Sequence, residues 1–112
     1  MFKNKYERLK YDLETKGFGK MKCFGSSMLP ILSKAGLCEY EVREEYNVGD
    51  IVFCKVNGRW IDAHLITKKD IDGKGIRYLI SNNHGFDNGW TRKIFGKVIK
   101  AIDDTGKIKT FS

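Results

Sequence analysis

"DIVFCKVNGRWIDAHLIT", residues 50–67, reads as two apolar-rich runs joined across Asn57-Gly58. Both of those residues tolerate the positive φ of a type I′ turn, so the dipeptide is a strong short-range signal of a β-hairpin. Outward from it the same texture repeats. "LCEYEV", 37–42, alternates, with Cys38, Tyr40 and Val42 on one side and Glu39 and Glu41 on the other. Asp72-Gly73 marks a turn ahead of "IRYLI", and "IFGKVIKAIDDTGKIKTF" reads as two strands about Thr105-Gly106. "MKCF", 21–24, is a short strand that ends at Gly25. Only residues 4–16 carry a helical period. Phe2, Tyr6, Leu9 and Leu13 share one face, basic residues surround it, and Gly17 and Gly19 close it. One helix followed by six or seven short strands predicts a mainly β domain spanning 1–112, with the helix in 1–19 and a β core in 20–112.

At 112 residues there is room for one modest core. No apolar run approaches the roughly 18–20 residues of a membrane span, and the basic N-terminus lacks the apolar stretch of a secretory signal. A soluble cytoplasmic protein is the expectation. Cys23, Cys38 and Cys54 are odd in number and form no C-x-x-C pair, which argues against a disulfide framework or a structural zinc site. The net charge of +7 raises nucleic acid as a partner. Residues 1–22 hold seven Lys/Arg against three Asp/Glu, and 91–112 hold six against two, while 23–90 hold eight against nine. A nucleic-acid surface would therefore be built from the basic ends, with Trp60, Trp90 or Tyr11 for stacking.

The chemistry concentrates in "CFGSSMLPIL", 23–32. Gly25 frees the backbone to bend, and Pro30 restricts it and disfavours helix at Leu29. Ser26 and Ser27 are thus held at a strand end between a flexible joint and a rigid one. A serine there can present its Oγ while its own N–H faces the same space, as a nucleophile with half an oxyanion hole requires. An ordinary turn uses the same residues. The only histidines are His64, inside the hairpin, and His84, in the polar stretch "SNNHGFDNGW", which also reads as a plain loop. Simple alternation puts His64 on one face with Trp60, Asp62 and Ile66.

"GSSMLP", "VGDIVF" at 48–53, "AHLI" at 63–66 and the late "NN…D…GKV" together resemble the signal-peptidase/LexA-like serine peptidase superfamily, in the right order over residues 21–101. The resemblance implies the LexA/signal-peptidase-like β-fold and a Ser/His dyad. Ser27, directly before Met28 in an S-M-x-P context, matches the nucleophile. His64, 37 residues later, falls where one branch of the superfamily places a lysine and the archaeal and endoplasmic-reticulum signal peptidases a histidine. Lys68 and Lys69 are rival bases. Asn82 and Asn83 fit the paired asparagines of a "GDNN"-like loop, Ser81 replaces its aspartate, and Asp87 falls where the acid that orients the imidazole would be. Asp62 is the alternative. Gly25 stands where signal peptidases often have a second serine, which leaves Ser26, Gly25 and Met28 as the oxyanion and support neighbours.

With no membrane anchor and no helix-turn-helix domain, neither preprotein cleavage at a membrane nor LexA-type repression is expected. A small soluble peptidase-like core, of the kind carried by a phage or mobile element, is what the resemblance implies, with no metal or organic cofactor. Its substrate would be an extended peptide or protein segment. A nucleic-acid-binding protein on the same fold and a catalytically silent interaction module are the other two readings.

Overall fold

A computed structural model describes residues 1–112, and it is built mainly of β-strands with one helix. Helix α1 spans Lys5–Lys16. Asn4 caps it, its side chain accepting a hydrogen bond from the Glu7 N–H at 2.9 Å, and the Gly17 N–H closes the far end on the Leu13 carbonyl. Of the four residues expected on its apolar face, Leu9 and Leu13 are buried, Tyr6 is half-buried and Phe2 is exposed.

Eight strands follow: β1 Phe18–Phe24, β2 Ala35–Glu41, β3 Ile51–Val56, β4 Arg59–Asp72, β5 Gly75–Ser81, β6 Asp87–Thr91, β7 Ile94–Asp103 and β8 Ile108–Thr110. All pair antiparallel in one curled sheet of order β1-β2-β7-β3-β4-β5-β6, with β8 added to β7. The hairpin at the centre of the sequence forms as its turn residues dictate, with φ of 51° at Asn57 and 79° at Gly58. Strand β6 is the one the sequence hides. Asp-Asn-Gly-Trp-Thr has no apolar alternation, and pairing with β5 rather than its own propensity makes it a strand. Cys38 and Tyr40 are buried as their alternation predicts, whereas Val42 lies past the end of β2 and is exposed.

The core falls on the two faces of the sheet. One cluster joins Leu9 and Leu13 of α1 to Met21, Met28, Leu32, Cys38, Tyr40, Ile51, Phe53, Ala63 and Val98. The other holds Tyr46, Val52, Cys54, Val56, Ile61, Ile66, Tyr78, Ile80 and Ile94. Phe53 anchors the first, its ring centre 5.5 Å from that of Trp60, and Tyr6 packs beside both, 5.5 Å from Trp60 and 6.4 Å from Phe53. Lys55 lies over the same indole at 4.2 Å, and the Arg77 guanidinium lies 4.1 Å from the Trp90 ring. Of the tryptophans considered for stacking on bases, Trp60 already has rings and a cation against it and Trp90 has a cation, while Tyr11 is exposed. The basic C-terminal stretch is also partly neutralised. Lys97 is buried and bonds Asp50 at 2.9 Å and the Ser112 carbonyl at 2.5 Å. No helix is long and apolar enough to cross a membrane.

Helix docking through two leucines predicts a local test. Leu13→Ala should lower the free energy of unfolding by about 2–5 kcal/mol in urea titrations. Tyr11→Ala, on the exposed face, should change it by no more than about 0.5 kcal/mol.

Candidate active site

The turn after β1 carries the two serines. Gly25 adopts φ +124°, a conformation that L side chains rarely adopt, and its N–H donates to the Lys34 carbonyl. The chain then makes a turn from Ser26 to Leu29, closed by the Leu29 N–H on the Ser26 carbonyl at 3.1 Å, and a further bond runs from the Leu32 N–H to the Met28 carbonyl. Met28 is buried in the first core cluster and anchors the turn, while Ser26 is exposed and Ser27 half-buried.

His64 meets Ser27 here, its Nε2 3.4 Å from Ser27 Oγ. That is slightly longer than an engaged donor–acceptor pair and within the slack of a site without substrate. On the other side of the ring, Nδ1 lies 2.8 Å from Asn88 Oδ1. An amide oxygen only accepts, so this contact places a proton on Nδ1 and leaves the Nε2 lone pair facing the serine hydroxyl.

Both partners reach these places through β-bulges. Val52 pairs with His64 but Cys54 with Ile61, so Phe53 is opposed by two residues of β4, Asp62 and Ala63. The bulge breaks simple alternation. Trp60 packs in the Phe53 cluster, while Val52, directly opposite His64, belongs to the other, so the expected shared face of His64 and Trp60 does not form. In β6, Ser81 pairs with Asp87 and Ile80 with Gly89, which leaves Asn88 as the extra residue of a second bulge. A third bulge at Thr67 undoes the parity between His64 and Lys68, and Lys68 is exposed. Lys69 is tied to Glu45 at 3.0 Å. Neither lysine bonds Ser27.

The structure gives Asp87 a different place from the one expected of it. Its carboxylate accepts from Ser81 Oγ at 2.6 Å, and Ser81 Oγ also meets Thr67 Oγ1 at 2.8 Å. Asp87 makes no bond to His64; the adjacent Asn88 does, because the bulge turns that residue toward the ring. Asp62, the alternative, caps the Ala63 N–H with Oδ1 and lines the cleft without touching the imidazole. The signal for Asn88 was present in "DNGW" as the residue beside the chosen acid, but only the register separates the two.

The loop between β5 and β6 closes over the serine turn. The Asn83 N–H donates to the Ser27 carbonyl and Asn83 Nδ2 to the Leu29 carbonyl, each at 2.9 Å, and His84 Nε2 lies 3.0 Å from the Ser26 carbonyl. Asn82 shapes the loop itself, its Oδ1 accepting from the N–H groups of His84 and Phe86. Every carbonyl from Ser26 to Leu29 is therefore bonded. The N–H groups of Ser26, Ser27 and Met28 make no bond within the chain.

A cleft beside the serine is lined by Cys23, Phe24, Gly25, Ser27, Met28, Leu32, Ser33, Asp62, Ala63 and His64, with about 20 Å³ open to water. Asp62 is the acid in this lining and no cation pairs with it. Hydrogen bonding from Cys38 lowers the Cys23 thiol below its ordinary range, and Cys38 is pushed up in turn by that bond and by burial. Burial alone pushes Cys54 up to about 12. No protein-family model matches the chain, and no curated protein or solved structure matches it either.

Thiol reactivity should follow this order. Brief treatment of the native protein with iodoacetamide near neutral pH is expected to alkylate Cys23 in the cleft wall and to spare Cys38 and Cys54, as peptide mapping by mass spectrometry will show.

Proposed function

We propose that the chain is a serine hydrolase of the peptidase type, with Ser27 as nucleophile, His64 as base and Asn88 as the group that orients the imidazole. The observation that carries this reading is the continuous contact Ser27 Oγ–His64 Nε2 and His64 Nδ1–Asn88 Oδ1. Nucleophile, base and orienter stand in the order a triad requires. The likeness of "GSSMLP", "VGDIVF" and "AHLI" to the signal-peptidase/LexA-like superfamily supports the same chemistry, and the curled antiparallel sheet is compatible with that fold.

In this mechanism Ser27 Oγ attacks a peptide carbonyl as its proton passes to His64 Nε2. The oxyanion is bound by the uncommitted N–H groups of Ser27 and Met28. His64 then gives its proton to the leaving amine, and water releases the acyl group by the same route in reverse. Because Asn88 is neutral, the imidazolium that forms is oriented but not paired with a carboxylate. The expected turnover is therefore modest beside that of a triad with an acid.

The substrate is an extended peptide. Strand β1 lies at the sheet edge, pairs with no strand but β2 and runs directly into the serine turn, so a peptide added to its outer side, in place of the Lys5 ammonium that bonds the Lys22 carbonyl, is carried to Ser27. The cleft beside Ser27 has space for about one water molecule, which selects a small side chain next to the scissile bond. Asp62 in its wall disfavours an acidic one.

A peptide-library digest read by mass spectrometry tests this. Ser27→Ala and His64→Ala are each expected to abolish cleavage while leaving the melting temperature near that of the parent, and a fluorophosphonate is expected to label Ser27. Cleavage that persists in Ser27→Ala overturns the mechanism. Asn88→Ala should lower kcat by roughly 10²-fold through loss of ring orientation.

A further inference from the structure

We infer that His84 is a positioning residue that aims the oxyanion-binding N–H groups of the serine turn, an inference that rests on the hydrolase reading of the same site. In a trans peptide unit the C=O and the N–H point in opposite directions. The Ser26 carbonyl and the Ser27 N–H belong to one unit, and the Ser27 carbonyl and the Met28 N–H to the next. Whatever grips the two carbonyls therefore sets the direction of the two donors.

Apart from the turn's own Leu29 N–H on the Ser26 carbonyl, the gripping groups come from the loop between β5 and β6. His84 Nε2 lies 3.0 Å from the Ser26 carbonyl, and the Asn83 N–H bonds the Ser27 carbonyl at 2.9 Å. Both hold the carbonyls toward the loop and so turn the Ser27 and Met28 N–H groups away from it, with no internal acceptor. A four-residue turn has two common arrangements, related by a flip of its central peptide unit. Here that unit is Ser27–Met28, and the Asn83 N–H favours the arrangement whose carbonyl faces the loop.

His84 adds what the turn lacks by itself. The Ser26 carbonyl already accepts the Leu29 N–H, and the imidazole occupies its second lone pair and ties the loop tip to the turn across 58 residues of sequence. Its ring is exposed and makes no other side-chain bond. Losing it should loosen the aim of the donors without unfolding the protein. Asn83, by contrast, holds the turn through its backbone and its side chain together, and its replacement would confuse aim with folding.

The test uses the whole chain and a peptide found by library digestion. His84→Ala is expected to lower kcat about tenfold, less than the loss of a whole oxyanion donor, with KM and melting temperature unchanged. His84→Gln, whose side-chain amide N–H can reach the same carbonyl, is expected to recover most of the rate. An unchanged kcat in His84→Ala, or an equal loss in both variants, overturns the inference. Amide correlation spectra without substrate separate this from the hydrolase reading. His84→Ala should shift the Ser27 and Met28 amide resonances and leave those of β3 in place. If these two amides do not move, the orienting role fails even where hydrolysis is real. If they move in a protein that neither cleaves peptides nor takes up a fluorophosphonate, the orienting role stands and the hydrolase reading alone falls.

Discussion

The site depends on one set of hydrogen bonds, those that carry the loop before β6 across to the turn after β1. In the order of the sheet these connections belong to opposite ends, one leaving the first strand and the other entering the last. They meet because the sheet curls, as right-handed strand twist accumulated across the seven strands of that order makes it do. Asn83 and His84 then bond the carbonyls of Ser26, Ser27 and Leu29. A turn as short as Ser26–Leu29 would otherwise satisfy its carbonyls with water and sample several arrangements. Fixed by the loop, it holds its hydroxyl and its free N–H groups in one arrangement.

Irregularity in the sheet does the rest. An unbroken β4 would keep His64 in step with Trp60, and an unbroken β6 would put Asn88 out of phase with the ring it now meets. Two bulges correct both, at Asp62–Ala63 and at Asn88. Each adds one residue on one strand and re-aims the side chain beside it, the role bulges commonly have near functional groups. The bulge at Thr67 works in the opposite sense and keeps Lys68 away from the serine. The rigid backing for these departures comes from both core clusters. Phe53 and Tyr40 are fully buried on one face, and Val52 and Ile80 on the other.

Charge has a smaller part than the composition suggests. The basic residues are spread over α1 and the last strands, where several are matched. Arg8 and Lys16 both approach Asp12, Lys97 holds Asp50 and Lys100 faces Glu39. The cleft itself carries one unpaired acid and two titratable groups of other kinds, His64 and Cys23. Shape and hydrogen bonding, more than field, set the character of this cleft.

Much of this was legible in the residues alone. The Asn57-Gly58 hairpin, the helix ended by Gly17 and the mainly β architecture follow from local rules, because turn chemistry and apolar period act over a few neighbours. The hydroxyls between Gly25 and Pro30 and a histidine within a strand are local oddities, but Ser27 over Ser26 and His64 over His84 rest on the likeness of "GSSMLP" and "AHLI" to a known superfamily. Strand β6, the choice of Asn88 over Asp87 and the reach of His84 to Ser26 could not be read that way. Strand β6 is decided by its pairing with β5, and the other two by register and by contacts 24 and 58 residues apart in sequence, where a single inserted residue in a strand reverses which side chain faces which way. Local sequence determined what kinds of groups would be present, and the long-range pairing of a twisted sheet decided which of them touch.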